Sequence, residues 1–319
     1  VHEPSAETEI GKAFVVSAVI PSSKLPDTVT LFVGRAPNEG KIYAREKGCV
    51  PFEMKRQKGY TYAATVPADS NMMKPGMLRY CITIKSGKNV RTFPGGIHGI
   101  PTDWDFPMTN LWETFIVDPN APLVLYDVTR DRDKILCSQT WNGPKYSYDF
   151  VLGMNTDKLA IRFEVTGFSE SNDLSWQRPF GKDIDSRLKD LSQFNTLCLR
   201  VRAGEKSTSS FGVALVEKDG TAWGTSVPLT TEWNEIRIPI SELSFTKKTK
   251  LPRGWPAVNP YWLPAPVGRG GKDDRLNIEN VQAIQFSIGT RFFKTHIEGP
   301  YAVELENATL EVGRKELPH

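Results

Sequence analysis

Three arginines stand where they could do chemistry. In Leu197-Cys-Leu-Arg-Val-Arg202, alternation sends Leu197, Leu199 and Val201 one way and Arg200 and Arg202 the other. Between Leu159 and Val165, Leu159, Ile161 and Phe163 oppose Arg162 and Glu164. Between Ala283 and Ile288, Ile284, Phe286 and Ile288 oppose Gln285 and Ser287. Forked guanidiniums beside an amide and a hydroxyl offer donors that suit sugar hydroxyls or carboxylates. The same pattern describes the solvent face of an ordinary half-exposed sheet, or arginines that find partners within the protein. Both readings stay open on the sequence.

A second group is aromatic. The run LPRGWPAVNPYWLPAPVGRGGKDD carries Trp255, Tyr261 and Trp262 among five prolines, inside a connection of nearly forty residues. Long loops in compact domains are usually functional or disordered, and three large aromatics argue against disorder. Proline fixes the backbone, so the rings make low-entropy platforms on which sugars stack. A loop that closes one mouth of a sandwich with its own small core would read the same way.

Asp127, Asp131 and Asp133 (D-x3-D-x-D) are oxygen ligands at a spacing that would hold a structural calcium, although the fuller EF-hand pattern is missing. GxSxG, HExxH and HxxEH are absent, and Gly268-Arg-Gly-Gly-Lys lacks the spacing and hydroxyl of a P-loop. Away from the termini only His98 and His296 remain, and a lone histidine in a strand protein is more often structural than a ligand. Cys49, Cys81, Cys137 and Cys198 show no CxxC spacing; Cys81 and Cys198 lie in apolar strand patterns where a free thiol behaves as a small hydrophobe. Asn307-Ala-Thr matches a glycosylation sequon but falls in an expected strand.

These residues need elements to position them. The 319 residues suffice for two domains. With 39% hydrophobic and 24% charged residues, the chain is neither a disordered tail nor a membrane protein. No apolar run reaches the roughly 18 residues of a membrane span. A net charge of +3 is too small to argue for nucleic acid. The surplus sits in residues 1–97, at +6, but its lysines are scattered among turns as a solvated surface would scatter them. Gly 25 and Pro 23 favour a turn-rich all-β protein. The chain begins at Val1, which suggests a removed leader or a piece of a longer polypeptide.

Strands are expected at Phe14–Ile20, Val29–Val33, Tyr60–Val66 and Leu78–Lys85, with turn chemistry between them. Six or seven such strands suit a small antiparallel sandwich of immunoglobulin or fibronectin type over residues 1–97. Residues 98–118 read as an ordered linker whose Trp104, Phe106, Leu111 and Trp112 wedge the domains together. Further strands are expected at 123–128, 159–165, 196–202, 211–217, 223–228, 233–240, 281–288 and 301–312. Asp219-Gly220 supplies a hairpin turn, and a helical turn is expected at 184–192. Eight strands fit a jelly-roll sandwich over residues 119–319.

Several runs carry a resemblance: LYD at 125–127, RPFGKDIDSRL at 178–188, the LRVRA strand, FGVALVEKDGTAWG at 211–224, EWNEIRIPISEL at 232–243, and the closing NVQAIQFSIG and YAVELENATLE. Together they resemble a galactose-binding-like jelly roll, of the family-eleven carbohydrate-binding and complex-I-intermediate-associated type. The first domain resembles the immunoglobulin-like domains of large secreted bacterial polysaccharide-degrading enzymes. The resemblance implies glycan binding on the concave sheet face and a structural calcium away from it. Matched by position, Arg162, Arg200, Arg202 and Gln285 would share that face, with Trp223 beside it and Trp255 or Trp262 on a rim loop. The long, proline-rich 244–280 loop departs from the family.

Three functions compete. The first is a noncatalytic, extracytoplasmic carbohydrate-binding region, with a polysaccharide or oligosaccharide as partner and a catalytic domain in the same parent chain. The second is a glycoside hydrolase or polysaccharide lyase, needing a converging pair among Glu164, Asp173, Asp183, Asp185, Glu235 or Glu298. The third is a structural or adhesive pair of sandwiches that binds no glycan.

Overall fold

The computed structural model describes residues 1–35, 49–103, 106, 111–139, 145–166, 173–204, 210–246, 248–249, 261–262, 274–289 and 301–313. The chain is all-β and divides into two units, residues 1–121 with 182–187, and residues 122–181 with 188–319.

The first unit contains β1 (Glu7–Glu9), β2 (Phe14–Val19), β3 (Thr28–Arg35), β4 (Val50–Glu53), β5 (Lys55–Arg56), β6 (Thr61–Val66), β7 (Gly76–Ser86), β8 (Asn89–Phe93), β9 (Ile97–His98) and β10 (Trp112–Val117). A seven-stranded sheet runs β1-β10-β7-β3-β4, with β8 and β9 continuing from β7, and a three-stranded sheet runs β2-β6-β5. In β2 the alternation is strict: Phe14, Val16 and Ala18 are buried, and Val15, Ser17 and Val19 are exposed. They meet Leu78, Tyr80 and Ile82 of β7 in one core.

The stretch expected as a linker over 98–118 is partly strand. Trp112–Val117 pairs antiparallel with β7, and Trp112 packs on the first core, its ring edge-on to His2 at 4.6 Å. An alternating WETFIV run with an open neighbour in β7 is better satisfied as a strand than as a tether. Trp104 lies outside the described residues. Residues 182–187 also belong to the first unit: the buried Arg187 pairs with Glu7 at 3.2 Å and Glu9 at 3.3 Å.

The second unit contains β11 (Leu123–Asp127), α1 (Val128–Asp131), β12 (Leu136–Gln139), β13 (Lys145–Leu152), β14 (Leu159–Thr166), β15 (Asp173–Pro179), β16 (Thr196–Ala203), β17 (Ser210–Glu217), β18 (Ala222–Pro228), β19 (Asn234–Pro239), β20 (Ser244–Thr246), the two-residue β21 (Lys248–Thr249) and β22 (Tyr261–Trp262), β23 (Val281–Gly289) and β24 (Tyr301–Glu311). One six-stranded sheet runs β13-β14-β24-β16-β19, with β11 also on β24. The other runs β12-β15-β23-β17-β18-β20. The helical turn expected at 184–192 is present as 3-10 geometry over Asp185–Gln193. Asp219-Gly220 turns β17 into β18, with Gly220 at φ 86° and the Asp219 carboxylate accepting from the Thr221 N–H.

An aromatic stack fills the space between these sheets. Phe163 of β14 lies on Trp176 of β15 at 4.2 Å, and Trp176 lies on Phe286 of β23 at 5.5 Å. All three are fully buried. The stack fixes which side of each strand faces inward, and so which residues the two outer faces display.

Candidate functional site

With Trp176 and Phe286 turned inward, Ser175, Gln177, Gln285 and Ser287 must lie on the opposite face of β15 and β23. Register then lines them up across the sheet. Ser175, Ser287, Gly212 and Ser226 face one another in one row; Gln177, Gln285, Ala214, Gly224 and Ser244 form the next. Ser226 and Ser244 are exposed, while the four residues on β15 and β23 are at most 3% exposed. A polar strip thus runs inward from solvent over positions with little or no side chain.

The strip is neutral. Gln177 Nε2 donates to Gln285 Oε1 at 3.5 Å, and Gln285 Nε2 donates to Ser287 Oγ at 3.2 Å. The Ser175 hydroxyl, fully buried, has no hydrogen-bond partner among the described residues. An orphaned buried hydroxyl costs about 1–3 kcal/mol unless a water or a ligand satisfies it. On its far side the strip is bordered by a small apolar cluster of Ala214, Val216, Ala222 and Ala283.

The single face expected for Arg162, Arg200, Arg202 and Gln285 is two faces. Gln285 lies in the β12-to-β20 sheet, and the arginines lie on the outer side of the β13-to-β19 sheet. Each guanidinium there already holds a carboxylate. Arg162 pairs with Glu164 at 2.6 Å and Glu304 at 3.4 Å; Arg200 with Glu306 at 3.2 Å and Glu235 at 3.3 Å; Arg202 with Glu304 at 2.7 Å. Arg202 also lies over the Trp233 ring, 5.0 Å from its centroid. Glu304 and Glu306 are almost wholly buried, so the arginines neutralise charges that would otherwise stand uncompensated.

Trp223, expected beside the face, points inward. It is 4% exposed, donates from Nε1 to Glu217 at 2.9 Å and sits edge-on to Phe245. Trp255 lies outside the described residues; Trp262 is described only as backbone in β22.

Among the described residues, the three aspartates expected to hold calcium do not converge on one point. Asp131 is fully buried and its carboxylate is held by Arg130 at 2.8 Å, Arg178 at 3.3 Å and Lys134 at 3.4 Å. Asp127 caps α1, accepting from the Thr129 N–H at 2.9 Å, while Asp133 is exposed. Three cations already balance the charge of this one carboxylate. Among the described residues no group of metal-ligating side chains converges. All four cysteines are free thiols.

For the hydrolytic reading, Glu164 and Glu235 are committed to arginines. The side chains of Asp173 and Glu298 lie outside the described residues, and Asp183 and Asp185 belong to the first unit.

Sequence reasoning missed Ser175 and Gln177 because β15 was not anticipated. Its signal was present: DLSWQRP sets Leu174 and Trp176 against Ser175 and Gln177. It also missed the buried acids of β24, since VELENATLE gives no hint that Glu304 and Glu306 lie opposite arginines.

No protein-family model matches the chain, and no curated protein sequence is similar to it. Among solved structures, part of the chain is similar to the family 11 carbohydrate-binding module of the cellulosomal cellulase Lic26A-Cel5E of Clostridium thermocellum. That match has 15% identity and a TM-score of 0.41, and covers 60% of this chain and 95% of that one. The family 11 module from the same organism in complex with a β-1,3-1,4-mixed-linked tetrasaccharide matches at 15% identity and a TM-score of 0.42, covering 60% and 96%. A family 30 carbohydrate-binding module matches at 10% identity and a TM-score of 0.37, covering 60% and 99%.

Proposed function

We propose that the second sandwich is a noncatalytic carbohydrate-binding module, the accessory region of a larger extracytoplasmic polysaccharide-utilisation protein that also carries a catalytic domain. The observation that carries this reading is the neutral strip Ser175-Gln177-Gln285-Ser287 with its unsatisfied Ser175 hydroxyl. Amide and hydroxyl groups both donate and accept, which matches the paired donors and acceptors of sugar hydroxyls. A charged ligand would meet no counter-charge within the strip and would lose its hydration without recompense. Gly212, Ala214 and Gly224, buried themselves, add little or no side chain between Ser226, Ser244 and the two glutamines. A neutral oligosaccharide or a neutral stretch of a polysaccharide is the ligand class that fits.

A glycan array on the purified chain, followed by calorimetry with the sugars retained, tests this. Gln177→Ala and Gln285→Ala should each weaken binding about tenfold, the loss of one or two hydrogen bonds in a desolvated site. Retention of no glycan, or parent-level affinity in both variants, overturns the assignment. Release of new reducing ends or unsaturated sugars from a retained glycan would favour the hydrolase or lyase reading.

A further inference from the structure

β13 ends its sheet, and what it presents there is unusual for an edge. All eight of its residues pair with β14 in unbroken register, so the strand has no bulge. Its other side has no strand neighbour among the described residues. No proline interrupts Lys145–Leu152, and alternate positions carry Tyr146, Tyr148, Phe150 and Leu152. Tyr148 is 45% exposed, Phe150 41% and Leu152 61%. Tyr148 rests on Phe163 at 5.4 Å, which anchors the row in the aromatic stack. Long, regular, apolar edges of this kind template pairing with a further strand, and proteins normally blunt them with prolines, bulges or several charges. This one carries only Lys145 and Asp149.

We infer that β13 is a self-association edge, where two copies of the chain join their sheets by antiparallel pairing of β13 with β13. A twofold axis perpendicular to the sheet keeps each side chain on its own face, so some residue must stand opposite itself. Centring on Asp149 opposes two carboxylates, which is unfavourable. Centring on Tyr148 sets Asp149 opposite Ser147 and Lys145 opposite Val151, leaving both charges unmatched. Centring on Ser147 sets Lys145 opposite Asp149 twice and Tyr146 opposite Tyr148 twice. Opposite charges and aromatic pairs directly across a ladder are the favourable combinations. The charge pattern therefore selects the Ser147-centred register, with a second copy as the partner. This inference is independent of the glycan reading, since β13 lies in the other sheet from Gln285.

Sedimentation velocity over a concentration series tests it on the full chain. The unmodified chain should show a concentration-dependent dimer. Asp149→Lys should raise the dissociation constant at least about tenfold, as should Lys145→Asp, and the double exchange should recover most of the loss. Tyr148→Lys, which puts a charge into the row, should give a monomer. These side chains are surface groups on an edge, and an unchanged far-ultraviolet circular dichroism spectrum for each variant establishes that it folds, whatever melting temperature the lost association removes. In the dimer, the amides of β13 should gain protection in hydrogen exchange. A chain that stays monomeric at every concentration overturns the inference. So does a dimer indifferent to Asp149→Lys and Tyr148→Lys, or a double exchange that fails to restore association. A Tyr148→Lys variant that loses glycan affinity while the parent chain is monomeric would reassign the row to ligand contact.

Discussion

Arg202 and Glu304 are bound to each other on adjacent strands, Nε to Oε2 at 2.7 Å, with the carboxylate buried and the guanidinium a third exposed. The pair belongs to the stability of the β16–β24 ladder, since the acid cannot reach water if the base is removed. Arg202→Ala should therefore lower stability by about 1–3 kcal/mol, the cost of an undersatisfied buried acceptor. Arg162 remains on Glu304 at 3.4 Å and softens the loss. Urea denaturation and glycan calorimetry on the same variant separate the roles. Reduced affinity at unchanged stability would move the ligand site onto the arginine face.

Ser175→Ala should act with opposite signs on the two measurements. Removing a buried hydroxyl that has no partner leaves the free protein as stable as before, or more stable by up to about 1 kcal/mol. The same change should weaken glycan binding several-fold. If a structural water satisfies the hydroxyl instead, stability falls and affinity stays put.

The Asp131 carboxyl gives the acid limb of stability a defined origin. Burial works against its charge, yet the hydrogen bond and charge of Arg130, with Arg178 beyond, hold it down to about 2. A folded value below the ordinary carboxylate value of about 3.9 means this stabilisation is complete above that pH. It is lost as pH falls from there through 2. Melting temperature against pH should drop over this interval, and Asp131→Asn should flatten the drop while lowering stability at neutral pH. Because arginines occupy this carboxylate, EDTA should leave the melting temperature of the parent chain unchanged; a fall of several degrees would mean that a metal is held after all.

Phe163→Ala should be the most costly of these changes. It removes a ring stacked 4.2 Å from Trp176 and leaves a cavity between the sheets, worth about 3–5 kcal/mol. Chemical denaturation gives the loss, and the emission of Trp176 should shift as its surroundings open. A loss under 1 kcal/mol would mean that the two sheets close over the gap.

Alternation along single strands was enough to place eight of the second unit's strands closely, because hydrophobic periodicity is a local property, while β12, β13, β15 and β20 were not anticipated. Leu159–Thr166, Thr196–Ala203 and Val281–Gly289 coincide closely with the runs expected. The inward Ile284 and Phe286, and the outward Gln285, were legible for the same reason. Asp219-Gly220 announced its hairpin because only certain residues accept that backbone. What alternation cannot say is which sheet a strand joins or what stands across from it. Arg200 and Gln285 carry the same pattern, yet pairing across long sequence separations put one among the acids of β24 and the other beside Gln177. Trp223 shows the limit from the other direction: its strand was foreseen, but Phe245 and Glu217, brought in by neighbouring strands, turned it into a core residue. Asp131 was read as an oxygen ligand because its spacing is local, whereas Arg178, forty-seven positions away, reaches it only once β15 is in place. The sequence determined strands and faces by local periodicity; long-range pairing decided which polar groups neutralise one another and which remain for a ligand.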